Sequence, residues 1–148
     1  MKWEVKSWSE LSNKEIEQLF MLRSEVFVVE QNCIYQDIDG KDNMAKHVLG
    51  KKDEKLFAYS RIFGPGDYFK EVSFGRAVVK KQLRGKGLGN QLVVKTLKFM
   101  KTNWPNKAFK ISAQAHLSVF YKKHGFEPKG KKYLEDGIPH IEMTKNST

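Results

Sequence analysis

Gln82-Leu83-Arg84-Gly85-Lys86-Gly87-Leu88-Gly89 is the stretch on which the fold turns. It lies between a strand-like run, Val72 to Val79, and a helical apolar stripe of Leu88, Leu92, Val93, Leu97 and Met100. Glycines let the backbone turn sharply and bring N–H groups close to an anion, and a helix starting there adds its positive N-terminus and unpaired donors. The stretch reads as a diphosphate cradle, with Lys80, Lys81, Arg84 and Lys86 as four cations within seven residues. An isolated Gly-x-Gly is more often a solvated turn, so the context has to decide. A P-loop needs Ser or Thr after Gly-Lys, and Gly85-Lys86 is followed by Gly87. A dinucleotide fingerprint needs Gly-x-Gly-x-x-Gly and an acid about 20 residues on, whereas the next acid here is Glu127.

Upstream, Trp3 and Val5 alternate with charged residues as in a half-buried strand. Ser12 and Glu15 have capping-box spacing, and Ile16, Leu19, Phe20, Arg23, Val26 and Phe27 follow at helical spacing, which predicts a first helix of about four turns. Asn32 to Asn43 breaks the period and reads as a loop. His47 to Lys51 and Lys55 to Phe63 are strand candidates around a Lys52-Asp53-Glu54 turn, and Gly64-Pro65-Gly66-Asp67 is a second turn. Downstream, Trp104-Pro105-Asn106 ends the second helix. Phe109 to Ala113 is a short strand, Leu117 to His124 a short helix stopped by Gly125, and extended structure returns from Phe126 through Ile138 to Met143. This order predicts one α/β domain around a mixed sheet.

The 148 residues suit one domain, and at 40% hydrophobic they can build a core without disulfides or metal. No apolar run approaches the roughly 18 residues of a membrane span, and Met1 to Ser9 holds no signal-like apolar core. Lone Cys33 cannot form an intrachain disulfide, so the expected setting is the reducing cytoplasm. The net charge of +10 is unevenly spread. Val72 to Phe126 carries twelve cations and no acid, while the remainder carries 15 cations and 17 acids. Either a polyanion such as nucleic acid or a phosphate-bearing small ligand accounts for that segment. Only four of the 27 cations are Arg, the residue that reads bases and phosphates bidentately, which speaks against nucleic acid.

Gln82-x-x-Gly85-x-Gly87 after a Val-Val strand resembles the coenzyme A loop of the GNAT superfamily of N-acetyltransferases, and Phe120-Tyr121-Lys122-Lys123-His124-Gly125-Phe126 resembles that family's helix-then-Gly-Phe signature. Val26 to Gln31, Tyr35 to Gly40 and Glu135 to His140 look like the ElaA branch. The resemblance implies an α/β (α+β) fold over residues 1–148 as a single acetyltransferase domain. Its sheet would be mixed and mostly antiparallel, flanked by helices, with a splayed central strand pair. It implies acetyl-CoA as acyl donor, a small-molecule or peptide amine as acceptor, direct attack in a ternary complex, no membrane partner and compatibility with a homodimer. Ala77, Val78 and Val79 would pair with the pantetheine arm through their backbone. Arg84, Gly85, Lys86, Gly87, Leu88 and Gly89 would hold the pyrophosphate. Gln114 stands where many members have a pantetheine-contacting Asn, and Lys81 where a Pro is usual.

Within that resemblance, backbone N–H groups on the strand ending at Val79 are the expected oxyanion donors, with Val78 first, and Tyr121 matches the family's general acid. Reference pKa values of about 10 for Tyr and 8.5 for a thiol make full proton transfer uphill by roughly 2 kcal/mol, so a hydrogen bond to the leaving sulfur is the main expected role. A lysine-type acceptor costs roughly 4.6 kcal/mol to neutralise at pH 7 and an α-amine about 1 kcal/mol, so the former needs a base. The strand before the loop has no Glu inside it, and Glu71 at its start is too remote. Candidates are Glu30, Asp37, Asp39, His47, His116 and His140; His140 leads, because it lies on a late strand on the acceptor side and a histidine ordinarily titrates near neutrality. The acids Glu25, Glu30, Asp37, Asp39 and Asp42 suggest a loop that attracts a cationic amine, with Glu30, Asp37, Asp39 and His140 as the substrate-binding set. Metal binding is rejected: Asp37-x-Asp39-Gly40 sets Gly at the fourth position of a calcium loop instead of the sixth, and Lys41 takes a ligand place. Cys33 lacks a base partner and reads as a packing residue. Two other functions stay open: a basic nucleic-acid-binding module, and an inactive coenzyme A sensor.

Overall fold

A computed structural model describes residues 1–146. The chain starts with β1 (Lys2–Ser7) and α1 (Asn13–Arg23). As the spacing predicts, Ser12 caps α1: its Oγ accepts from Glu15 N at 3.1 Å, and Glu15 Oε1 accepts from Ser12 N at 2.8 Å. The helix does not run to Phe27 as an α-helix. It widens into a π-helix over Ser24–Glu30, where β-branched Val26, Val28 and Val29 weaken the ordinary helical turn.

The strands β2 (Lys46–Lys52), β3 (Lys55–Phe63) and β4 (Ser73–Val79) follow, then α2 (Leu88–Asn103), β5 (Ala108–Gln114), α3 (Ser118–Lys122), β6 (Glu127–Glu135) and β7 (Ile138–Asn146). The strands form two antiparallel sheets, ordered β1-β2-β3-β4 and β5-β7-β6. They meet at one parallel bridge, Val72 to Phe109, with Lys110 N donating to Val72 O at 2.9 Å. Beyond it β4 and β5 part, giving the splayed central pair. A bulge contributes: the β3–β4 register shifts between Tyr59 and Arg61, and Arg76 holds φ +50°, left-handed backbone that a β-branched or bulky side chain seldom adopts.

Leu88, Leu92, Val93, Leu97 and Met100 of α2 are buried against the first sheet, as their helical spacing predicts. Thr96 on the same face is fully buried and satisfies its hydroxyl with Ser60 Oγ at 2.8 Å and Leu92 O at 2.7 Å. The β6–β7 hairpin turns on Asp136 and Gly137, both at positive φ, the type I′ geometry that matches strand twist. No helix among the described residues is long and apolar enough to cross a membrane.

Two ion clusters brace this frame. In the first, Arg23 meets Asp37 at 2.9 Å and Asp42 at 2.7 Å, Arg61 meets Asp39 at 2.6 Å and Asp42 at 3.1 Å, and Arg76 meets Asp37 at 2.8 Å. In the second, Glu15 accepts from Lys51 at 2.5 Å and from Lys6 at 2.9 Å. Burial alone would raise the Glu15 pKa, but the Lys51 bond, the Ser12 N–H and Lys6 outweigh it and hold the carboxyl at about 2. Its folded pKa lies below the unfolded one, so its stabilisation is full above about pH 4.5 and fades as pH falls towards 2. Glu15→Gln is therefore expected to lower stability at pH 7 while flattening its fall between pH 5 and 2; urea titrations across that range check it, and parallel curves for the two proteins would refute it.

Candidate active site

The Gln82–Gly89 stretch does form a tight loop running into α2. Gly85 and Gly87 hold φ of +80° and +77°, and a Cβ at either would meet nothing within 4 Å. Backbone conformation, not lack of room, is what demands glycine there. Gly87 caps α2 with no side chain to occupy the first-turn N–H groups, which stay available to an anion. From this loop a cleft of about 450 Å³ runs past Val79 and Phe120 to Tyr121 and Ala77. Among the residues named from the sequence, Ala77, Val78, Val79, Arg84, Gly85, Gly87, Leu88, Gly89 and Tyr121 line it; Lys86 is exposed beside it. Phe120, an apolar wall, was not singled out individually.

The open edge of β4 corrects one expectation. Lys80 N donates to Phe57 O at 2.8 Å, and Val79 pairs opposite Ala58. Antiparallel alternation then turns the polar backbone groups of Val78 towards Tyr59, inside the sheet, and those of Val79 and Ala77 outwards. The Val79 carbonyl indeed accepts from Arg84 Nε at 3.0 Å on that outer side. Val78 has its N–H engaged in the ladder and cannot be the oxyanion donor. Ala77 can: it lines both the first cleft and a second one.

That second cleft opens in the splay, and Tyr121, 7% exposed, stands between the two. Burial pushes the Tyr121 phenol up to about 12, so it stays a neutral donor across the working pH range. His140 lines the second cleft and is nearly buried. Its Nδ1–H donates to Ile138 O at 2.7 Å, which leaves Nε2 as the proton-accepting nitrogen, 3.3 Å from Glu135 Oε2. Gln114 pairs opposite His140 and lies in this cleft, away from the phosphate loop, donating to Gln31 Oε1 at 3.3 Å.

Other expected residues are placed differently. Asp37 and Asp39 are bound by Arg23, Arg61 and Arg76, so their charge is spent within the protein and offers nothing to an amine. Asp39 is held far below the usual carboxylate range: burial acts against this, and the Arg61 bond overrides it. Glu30 lines neither cleft and is paired with Arg84 at 2.5 Å. The acids that do line the acceptor side are Glu135 and Asp136, on the β6–β7 hairpin. Their signal in the sequence is Asp136-Gly137, a type I′ hairpin dipeptide just before His140. His47 is fully buried between Tyr59 Oη at 2.6 Å and Asp42 O at 2.9 Å, and burial lowers its pKa, a structural role; His116 is exposed outside both clefts. Cys33 donates to Asp136 O at 3.1 Å and so anchors the hairpin.

Two clefts meeting at a buried tyrosine in a strand splay, one ending on an open helix N-terminus, are the architecture of a coenzyme A-dependent acyltransferase, and the chain belongs to the GNAT acetyltransferase family: the model of the acetyltransferase (GNAT) domain matches residues 9–147. It is similar to Protein ElaA of Escherichia coli K12, 46% identical over 147 residues, covering 98% of this chain and 96% of the relative. The crystal structure of Escherichia coli ElaA superposes with a TM-score of 0.92 at 45% identity, covering 98% and 99% of the two chains. An acyl-CoA N-acyltransferase from Pseudomonas aeruginosa does so equally well, at 0.92 and 39% identity over the same shares.

Proposed function

We propose that residues 1–148 form one acetyltransferase domain that moves an acetyl group from acetyl-CoA to a primary amine within a ternary complex. The observation that carries this reading is the junction at Ala77 and Tyr121, where the cleft from the phosphate loop meets the cleft that holds His140. The residues present fit the donor: open first-turn N–H groups of α2 for the diphosphate, the outward backbone of Ala77 and Val79 for the pantetheine amides, and an apolar wall from Phe120.

The donor supplies an activated acetyl thioester. His140 Nε2 takes the proton that an ammonium must lose before it attacks, and Glu135 lies close enough to stabilise the resulting imidazolium. The outward N–H of Ala77 would be available to the carbonyl oxygen on which charge develops as the amine adds. Tyr121, at the junction of the two clefts, would donate a hydrogen bond to the departing sulfur. With its phenol near 12 and a thiol near 8.5, outright transfer of its proton is uphill by about 5 kcal/mol, so water completes the protonation. The two acids on the hairpin favour a cationic acceptor.

Purified protein with acetyl-CoA and a panel of primary amines, read by released thiol, tests the reading; no amine-dependent release at any pH between 6 and 10 would leave it without support. With an acceptor in hand, His140→Gln is expected to lower kcat/KM roughly 100-fold for an amine of pKa near 10, and much less for one near 7.7, which needs little help to lose its proton. Equal losses for both amines would remove His140 as the base.

A further inference from the structure

Arg84 reaches across two elements. Its Nε–H donates to the Val79 carbonyl at 3.0 Å, while Nη1 and Nη2 meet the two Glu30 oxygens at 2.5 and 3.1 Å. Arg84 belongs to the phosphate loop, and Glu30 is the last residue of the π-helix. The pair therefore forms a clasp over the open edge of β4, at the end nearest the loop. Val79 C=O is one of the outward groups that an extended ligand chain alongside β4 must use. A pantetheine amide and the Arg84 Nε–H seek the same acceptor, and a 3.0 Å bond leaves no space for a chain to pass between them.

We infer that the Glu30–Arg84 clasp is a gate on the cofactor cleft, opened as coenzyme A enters, and that Glu30 sets the resistance of the gate. The inference rests on the reading of that cleft as the coenzyme A site. The chemistry suits a gate. The guanidinium fork makes a directional two-point contact with the carboxylate, so the closed position is defined. The side chains of Arg84 and Glu30 are 38% and 29% exposed, so water and salt weaken the pair and entry does not require breaking a buried ion pair. Once released, Arg84 leaves its carboxylate for the diphosphate bound by its own loop. Glu30 is followed by Gln31, which accepts from Gln114 across the second cleft, so opening the clasp reaches the acceptor wall.

Coenzyme A itself is the probe. Calorimetric Kd values and stopped-flow association rates are measured for the wild type, Glu30→Gln, Arg84→Ala and the double variant at one low salt concentration. Glu30→Gln is expected to tighten binding roughly fivefold, through faster association, because the ion pair is no longer broken on entry. In the Arg84→Ala background the same substitution is expected to change nothing. Unchanged or weaker binding by Glu30→Gln in a protein whose wild type binds coenzyme A overturns the gate alone. An equal gain in the Arg84→Ala background also overturns it, since Glu30 would then act by charge without the clasp. A wild type that does not bind coenzyme A overturns the gate together with the cofactor reading beneath it.

Discussion

Gly87→Glu is expected to abolish coenzyme A binding while leaving a folded protein. Gly87 holds φ +77°, where a residue with a Cβ carries a strain of about 1–2 kcal/mol. The added Cβ would meet nothing within 4 Å, so the fold absorbs that strain without a clash. For a domain of this size the melting temperature should fall by only about 2–8 °C. The binding loss is much larger, because a carboxylate is placed at the helix N-terminus that has to receive a diphosphate. A like-charge pair about 4 Å apart near a surface costs on the order of 4 kcal/mol. The repulsion alone weakens binding by roughly 1,000-fold. Gly87→Ala carries the same strain in the free and the bound protein and adds no charge, so it should lower the melting temperature while binding coenzyme A within about threefold of wild type. Calorimetry on the three proteins, with circular dichroism to verify folding, decides the matter. Binding by Gly87→Glu within tenfold of wild type would mean the anion sits elsewhere.

Tyr121→Phe should strike the chemical step and spare cofactor binding. Tyr121 is buried among Phe74, Phe120 and Phe126, so a phenylalanine fits the same ring environment. In the proposed reaction its hydroxyl contacts a sulfur on which negative charge develops, an interaction that strengthens in the transition state. A fall in kcat of roughly 100- to 1,000-fold with a Kd for coenzyme A within about twofold is the expected pattern. Because burial holds the phenol near 12, the wild-type rate should show no decline from Tyr121 ionisation below about pH 11. A loss shared equally between Kd and kcat would make Tyr121 a packing residue of the cofactor cleft.

The phosphate loop was legible in the sequence because its constraint is local: two glycines at positive φ, a strand before and a helix after, all within adjacent residues. The family resemblance pointed to Tyr121, which lines both clefts, and the α2 core stripe was legible through its period. What depended on register was not. Whether the N–H of Val78 or of Ala77 faces the splay depends on a single bulged residue, since one step along a strand reverses every polar group, and nothing in Gly75-Arg76-Ala77 announces a left-handed Arg76. The acid-rich loop misled for a related reason. Asp37, Asp39 and Asp42 look unpaired in the chain because their partners, Arg23, Arg61 and Arg76, come from α1, β3 and β4. The acids that do face the acceptor cleft lie a hundred residues away, on a hairpin tied back by Cys33.

The cluster of three arginines and three aspartates also bears on how such a site changes over generations. Arg23, Asp37, Asp42 and Arg61 are buried in it, and loss of one of these four leaves the buried part of the cluster one charge out of balance, at a cost of up to about 3–5 kcal/mol. That is a large part of the stability of an ordinary domain. A lineage can leave this arrangement only by replacing partners together, a rare event. New acceptor preferences are therefore more accessible through Asp136 and the aromatic residues Tyr68 and Phe69, which line the second cleft and belong to no such set. Arg61 and Arg76 bring that constraint to the wall of the cleft, whereas the hairpin turn and the two aromatic rings can be exchanged one at a time.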